Sequence, residues 1–207
     1  PQTADGGVIA GECTAGDRIC QGPSVYACNA DGSAYDFVEL CMDDCVNGAC
    51  TSPCGAETDK VSYLGCTFWA TRLENSSTGA DFSLTLSSHG NLPITANITD
   101  AEGNNIDSVT IEPHSLNSVD LNSLGQVEGT GISRKAYKVT TNGKVTIHQF
   151  NPINDANNHS SDATLLLPAS ALGTGYRFIG WPTEKVWVPV TSMTCETSED
   201  CGTWECD

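Results

Sequence analysis

Apolar and polar residues alternate in short runs through most of the chain after residue 61. The segments 82–86 (FSLTL) and 94–98 (ITANI) place apolar residues at every second position, and turn sequences separate such runs. Alternation with a period of two indicates β-strands that bury one face. The pattern predicts strands at 65–73, 82–86, 94–98, 106–111, 115–121, 163–167, 176–181 and 186–190, with a further pair within 136–148.

The clearest hairpin prediction covers residues 136–148. Asn142-Gly143 stands between two alternating arms, and this dipeptide favours the type I′ turn whose twist matches antiparallel strands. Helix caps followed by a long helical period are absent, and Pro168–Leu172 is long enough only for one helical turn. The fold class predicted is all-β: an antiparallel β-sandwich, immunoglobulin-like or jelly-roll, preceded by a small disulfide-rich module.

The first sixty residues have a different texture, with recurrent turn signals such as Asn47-Gly48 and short strands predicted at Ser24–Cys28 and Tyr35–Cys41. We therefore expect four regions. They are a flexible N-terminal segment (1–11), a cysteine-rich disulfide module (12–60), the β-sandwich domain (61–190) and an acidic, cysteine-containing tail (191–207).

The chain contains 11 cysteines, clustered near its two ends. Disulfides persist in oxidising compartments, so this density predicts an extracellular or cell-surface protein. Zinc is the alternative for the Cys41–Cys54 cluster, but no histidine lies near it and CxxC pairs are missing. Cys54–Cys66 is the one pairing we predict specifically, because these residues bracket the entry to the main domain. The candidate disulfide cysteines are Cys13, Cys20, Cys28, Cys41, Cys45, Cys50, Cys54, Cys66, Cys195, Cys201 and Cys206.

The odd cysteine is expected in the tail, where two thiols can pair and one remains. The chain is also strongly acidic, with a formal net charge of −17 concentrated in residues 1–60 and 191–207. This charge argues against nucleic acid or an anionic membrane as a partner. No run approaches the roughly 18 apolar residues of a membrane span, so none is predicted.

No catalytic motif is present: the chain lacks a Gly-x-Ser-x-Gly elbow, a His-Glu-x-x-His pair and a phosphate-binding glycine loop. The histidines, which are His89, His114, His148 and His159, lie on different predicted elements. We therefore expect a protein that is not an enzyme. Trp69 and Trp181 lie in apolar runs and are predicted to pack in the core or sheet, whereas Trp204 in the tail is a candidate partner contact.

Two kinds of polar site remain as candidates. Asn29, Asp31, Ser33 and Asp36 offer oxygen atoms at calcium-loop spacing, although the glycine and closing glutamate of an EF-hand are missing. A plain turn is the favoured interpretation, so no cofactor is expected beyond this weak calcium candidate. A second oxygen-rich loop, 155–162, is interpreted in the same way. Asn-x-Ser/Thr sequons occur at Asn75, Asn97 and Asn158.

Several motifs together resemble the N-terminal domain of IgGFc-binding protein and its bacterial surface relatives. The segments that carry the resemblance are 148–152 (HQFNP), 161–168 (SDATLLLP), 171–176 (ALGTGY), 62–70 (SYLGCTFWA) and the cysteine spacing within 41–50. The similarity covers approximately Cys41 to Trp181. Relatives continue with further strands where this chain, after Val190, enters its acidic tail.

The resemblance implies a secreted or cell-surface, non-catalytic binding or adhesion module, with a protein or glycan ligand at the cell surface. It carries no catalytic residues over to this chain. The alternative is a structural subunit of an extracellular filament or surface layer that binds copies of itself. Such a subunit would assemble by strand complementation, with residues 6–10 (GGVIA) as a donor strand, or by an intermolecular disulfide.

Overall fold

The structure is a computed structural model that describes residues 7–55, 62–74, 81–129, 131–152, 162–175 and 177. It is an all-β protein built from antiparallel sheets, as predicted. The strands are β1 Ile9–Ala10, β2 Arg18–Gln21, β3 Ser24–Cys28, β4 Ala34–Leu40, β5 Cys45–Val46, β6 Ala49–Cys50, β7 Gly65–Thr71, β8 Ser83–Ser88, β9 Ile94–Thr99, β10 Asn105–Ile111, β11 Leu116–Asp120, β12 Ala136–Phe150 and β13 Ala163–Leu165.

Most predicted strands occur within two residues of their expected limits. The helical turn at Pro168–Leu172 is a short 3-10 helix over Ala169–Ala171. The predicted strands 176–181 and 186–190 and the tail 191–207 lie outside the described residues, apart from Arg177. Within the described part of the chain, no helix has both the length and the apolar character needed to cross a membrane.

The cysteine-rich module contains a four-stranded sheet in the order β1-β4-β3-β2 and a separate β5–β6 hairpin. Asn47 and Gly48 form the turn of that hairpin with φ values of 52° and 75°. A side chain at Gly48 would bring a Cβ within 2.5 Å of the Cβ of Arg18, so glycine is required there by both conformation and space. Ile9 and Ala10 pair with Tyr35 and Ala34. The segment predicted to be flexible therefore includes a short strand.

Four disulfides cross-link the module: Cys13–Cys28, Cys20–Cys45, Cys41–Cys50 and Cys54–Cys66. The last pairing confirms the prediction and ties the end of the module to β7. The first three bonds close loops within a module whose buried core is small. Cross-links of this kind stabilise mainly by restricting the unfolded chain.

The sandwich is organised around β12. The main sheet path runs β10-β9-β12-β8-β11, while β7 and β13 also pair with β12. Residues Lys138–Thr141 of β12 pair with β9, and residues Val145–Phe150 pair with β8. On the other side, β7 and β13 pair with successive parts of β12. The long strand β12 therefore pairs with β9 and β8 along one edge and with β7 and β13 along the other.

The Asn142-Gly143 hairpin prediction is wrong, because these residues lie inside the continuous strand β12. Neither has a positive φ, which a type I′ turn requires at both positions. Instead, the Asn142 side-chain oxygen accepts a hydrogen bond from the Thr95 amide at 2.8 Å. A Cβ at Gly143 would lie 2.6 Å from the Met42 sulfur and 2.9 Å from Ile94 Cδ1, so glycine permits close packing here.

The sandwich core consists of inward-facing apolar side chains from β7 to β12 and from Leu166. It comprises Phe68, Ala70, Phe82, Leu84, Leu86, Ile94, Ala96, Ile98, Ile111, Val119, Leu121, Tyr137, Val139, Val145, Ile147 and Leu166. Each fully buried Leu, Ile or Phe contributes roughly 1.5–3 kcal/mol relative to exposure. Residues up to Leu172 form one compact unit, and a second begins at Gly173.

Candidate binding face

An exposed tryptophan marks one face of the sandwich. In β7, Phe68 and Ala70 are buried while Trp69 between them is 42% exposed. Successive side chains of a strand point to opposite sides, so burying Phe68 and Ala70 turns Trp69 outward. Of the two predicted positions, core or sheet, Trp69 therefore takes the sheet: it lies in β7 with its side chain outside the core. The apolar run around Trp69 does not distinguish the two sides of the strand, because Phe68 and Ala70 face the core while Trp69 faces outward.

Strand register places Trp69 in a row of outward-facing residues. Lys138 of β12 pairs with Trp69 on one side and with Thr99 of β9 on the other. The Lys138 ammonium lies 5.7 Å from the centroid of the Trp69 ring. A cation at this distance is attracted by the negative face of the ring, with a strength of about 0.5–1 kcal/mol at an exposed position.

A second row runs parallel to the first across four strands. Thr140 pairs with Thr67 and with Asn97, and Asn97 pairs in turn with Ser108. The Ser108 hydroxyl donates a hydrogen bond to the Asn97 side-chain oxygen at 3.1 Å. We call the surface formed by these rows and their outward neighbours the outer face; its residues are Thr67, Trp69, Thr71, Thr95, Asn97, Thr99, Ser108, Thr110, Lys138 and Thr140.

The outer face is polar but almost uncharged. Hydroxyl and amide side chains dominate it, and Lys138 carries the only charge among its residues. Adjacent strands in a sheet lie about 4.8 Å apart, and outward residues along one strand repeat about every 6.8 Å. Donors and acceptors are therefore arranged at regular spacing beside one aromatic ring, which suits recognition of an extended polar ligand.

One predicted glycosylation sequon lies on this face. Asn97 is exposed in β9, within the second row and close to Thr140. A glycan attached there would project over the outer face. The other two sequons, Asn75 and Asn158, lie outside the described residues.

The calcium candidates Asn29, Asp31 and Ser33 form a tight turn between β3 and β4. The Asn29 side-chain oxygen accepts hydrogen bonds from the amides of Ser33 and Ala34 at 3.0 and 3.3 Å. An Asp31 carboxylate oxygen accepts from the Ser33 hydroxyl at 2.6 Å and from the Ser33 amide at 3.1 Å. Asp36 lies farther on, within β4, where it pairs with Ala27. The contacts within the turn support the plain-turn interpretation.

The hydrogen bonds of Ser33 also lower the pKa of Asp31, with the hydroxyl contributing most. A similar turn connects β9 and β10. There the Asp100 carboxylate accepts hydrogen bonds from the Asn104 side chain and amide at 2.7 and 2.8 Å, and from the Glu102 amide. The Asn104 side chain is the main cause of the lowered pKa of Asp100. Both carboxylates thus stabilise their turns by accepting hydrogen bonds from groups within the same turn. The second candidate loop, 155–162, lies outside the described residues except for Asp162.

The structure brings together two histidines that the sequence appeared to scatter. His89 and His114 line an open cleft of about 520 Å³, together with Ser87, Ser88, Ser115 and Leu116. The backbone joins the two segments, since the Ser88 amide donates to the Ser115 carbonyl at 2.8 Å. This lining contains no carboxylate to orient a histidine. Among the described residues, no group of three or more His, Cys, Asp or Glu side chains could hold a metal ion.

His148 lies on β12, and the candidates Trp181, Trp204 and His159 fall outside the described residues. Comparisons with family models, with curated proteins and with solved structures returned no match. The resemblance to the IgGFc-binding family therefore stays a prediction that rests on the quoted motifs alone.

Proposed function

We propose that this chain is a secreted or cell-surface, non-catalytic binding or adhesion module, and that the outer face is its binding surface. The observation that carries the proposal is Trp69, which is 42% exposed at one end of the row that it forms with Lys138 and Thr99. Four disulfides in the described residues support an oxidising, extracellular setting. The sequence resemblance to surface binding domains points to the same function.

Exposed aromatic residues are frequent anchors of binding surfaces, because they supply a large contact area with little loss of conformational entropy. Here a rigid sheet holds the ring, and Lys138 lies close to it. The protein would therefore lose little conformational entropy at this site when a ligand binds. A rigid site of this kind converts more of its contacts into affinity than a flexible loop does.

A pull-down tests this proposal: extracts of cell surfaces are immobilised, and the amount of the purified 207-residue chain that they retain is measured. The wild type and Val46→Ala are expected to bind equally, because Val46 is a 52% exposed residue on β5 of the cysteine-rich module and is not part of the outer face. Trp69→Ala is expected to lose binding. Equal retention of Trp69→Ala and the wild type would show that the outer face is not the binding surface. No retention of either protein would contradict the binding function.

A structural subunit of an extracellular filament or surface layer is the second candidate. Its support is the short edge strand β13, whose three residues are all exposed, with Leu167 beyond it 49% exposed. An edge strand presents unpaired backbone N–H and C=O groups that can pair with a strand of another chain. A donor strand from residues 6–10 would first have to release Ile9 and Ala10 from β4. Electron microscopy and light scattering at high concentration test this candidate, and a monodisperse monomer would contradict it.

A further inference from the structure

We propose that the outer face binds a neutral oligosaccharide, laid across β7, β12 and β9 with one sugar ring against Trp69. This inference rests on the proposed binding function and names the chemical class of its ligand. Three features favour such a ligand: the chemistry of the Trp69 ring, the pattern of the polar rows, and the charge of the whole chain.

Trp69 provides the apolar contact that a sugar ring needs. A pyranose ring exposes C–H groups on its faces and hydroxyl groups around its edge. The faces of an indole ring carry negative partial charge, so they attract the weakly positive C–H groups of a sugar. Trp69 is 42% exposed, and the Lys138 ammonium, which lies over the ring at 5.7 Å from its centroid, can donate hydrogen bonds to the hydroxyls at the sugar's edge.

The row Thr67–Thr140–Asn97–Ser108 provides the polar contacts for neighbouring sugars. Threonine and serine hydroxyls both donate and accept hydrogen bonds, and the asparagine amide does the same with separate atoms. Sugar hydroxyls have the same dual character, so each can find a partner without a fixed charge. The row crosses four adjacent strands in register, a distance of about 14 Å at the usual strand spacing. This length matches a short oligosaccharide.

A protein ligand fits the outer face less well. The energetically dominant centre of protein interfaces is a cluster of large, desolvated aromatic and apolar side chains surrounded by a polar rim. Here Trp69 is the one aromatic residue among the outer-face residues, and the hydroxyl-bearing Thr67 and Thr71 are its outward neighbours along β7. Burying those hydroxyls requires a partner that is itself rich in hydrogen-bonding groups.

The charge of the chain favours a neutral glycan over an acidic one. The net charge of −17 repels polyanions at long range, and Lys138 is a single cation on the face. An uncharged oligosaccharide avoids this repulsion and still uses the Lys138 ammonium as a donor. Binding is therefore expected to depend little on salt concentration, because few ion pairs form.

A glycan array with neutral hexose and N-acetylhexosamine chains, and with uronic-acid and sulfated chains as a second panel, tests the proposal. The full chain is displayed on multivalent beads, because repeated weak contacts become measurable through effective concentration. It should be expressed in a host without N-glycosylation, since a glycan on Asn97 would cover the face. Retention on neutral chains, nearly unchanged between low and physiological salt, is the expected result.

The variants locate the site. Trp69→Ala should reduce affinity for the neutral chain about tenfold or more, which corresponds to about 1.4 kcal/mol. Lys138→Met removes the ammonium but keeps an unbranched side chain, and it should cause a smaller loss. Val46→Ala, in the cysteine-rich module, should bind as the wild type does. If Trp69→Ala lowers the melting temperature, Trp69→Phe and Thr140→Ala replace it and should still weaken binding.

The outcomes separate the two proposals. Binding only to acidic chains, or neutral binding that is unaffected by Trp69→Ala, would overturn the inference. If no glycan binds but Trp69→Ala abolishes retention of a surface protein, the ligand class is wrong and the binding function stands. If neither glycans nor surface extracts retain the chain, both proposals fail.

Discussion

Met42 of the cysteine-rich module lies directly against Gly143 of the sandwich, with its sulfur where a Cβ would approach to 2.6 Å. The surrounding contacts reinforce this joint. The Asn91 amide donates to the Met42 carbonyl at 3.1 Å, and Lys144 forms an ion pair with Asp43 at 3.1 Å. The module and the sandwich are thus joined by packing, hydrogen bonds and charge as well as by the Cys54–Cys66 disulfide.

Gly143→Ala is expected to destabilise the protein. The added methyl group would meet the Met42 sulfur and the Ile94 side chain, and overpacking of this kind costs about 1–3 kcal/mol. Gly131→Ala is the matched control, because nothing lies within 4 Å of its Cβ and its φ is not positive. Chemical denaturation measures both variants. Equal stability of the two would show that the joint is loosely packed.

Replacing Cys54 and Cys66 together by alanine should lower the free energy of unfolding. The bond closes a loop with a sequence separation of 12 residues, for which chain-entropy arguments give about 3 kcal/mol. Denaturation under non-reducing conditions measures the change. A peptide map of the wild type under the same conditions checks the pairing itself, and a different partner for Cys54 would contradict the structure.

Tyr137→Phe should cost about 1–3 kcal/mol, because it leaves buried polar groups unpaired. The Tyr137 hydroxyl donates to the Leu121 carbonyl at 3.0 Å and accepts from the Leu124 amide at 2.9 Å. The ring itself remains stacked near Phe82. Tyr63→Phe is the control, since Tyr63 is 54% exposed and its change should stay within about 0.5 kcal/mol. A neutral result for Tyr137→Phe would mean that the 121–124 segment rearranges freely.

Acid should weaken the turns formed by Asp31 and Asp100. Hydrogen bonds hold the pKa of each carboxyl below its ordinary value of 3.8 in the folded protein. A lowered folded-state pKa contributes stability above the unfolded value, and this contribution disappears as the pH falls through the folded value. NMR titration of the carboxyl carbons should give midpoints below 3.8. Midpoints at or above it would contradict the turn geometry.

The alternation of apolar and polar residues and the turn dipeptides predicted most strands of this fold, because both signals depend only on residues that are close in the sequence. The run Ser24–Cys28 is a strand with the expected limits, and Phe82 to Leu86 falls in or next to β8 with its apolar residues buried. Asn47-Gly48 forms the tight turn that its dipeptide favours. The same dipeptide at Asn142-Gly143 does not, since tertiary packing against Met42 and Ile94 outweighs a local turn preference.

The strand content, the disulfide-rich character of the first third and the Cys54–Cys66 pairing at the entry to the sandwich could all be predicted from the sequence. These depend on residue type, local spacing and loop closure. Which side of β7 faces solvent depends on the tertiary structure, so the sequence left Trp69 in either the core or the sheet. The tertiary structure also decided that β12 continues through Asn142 and that Thr67, Thr140 and Asn97 align. These features arise from register between strands distant in sequence, which no local pattern encodes.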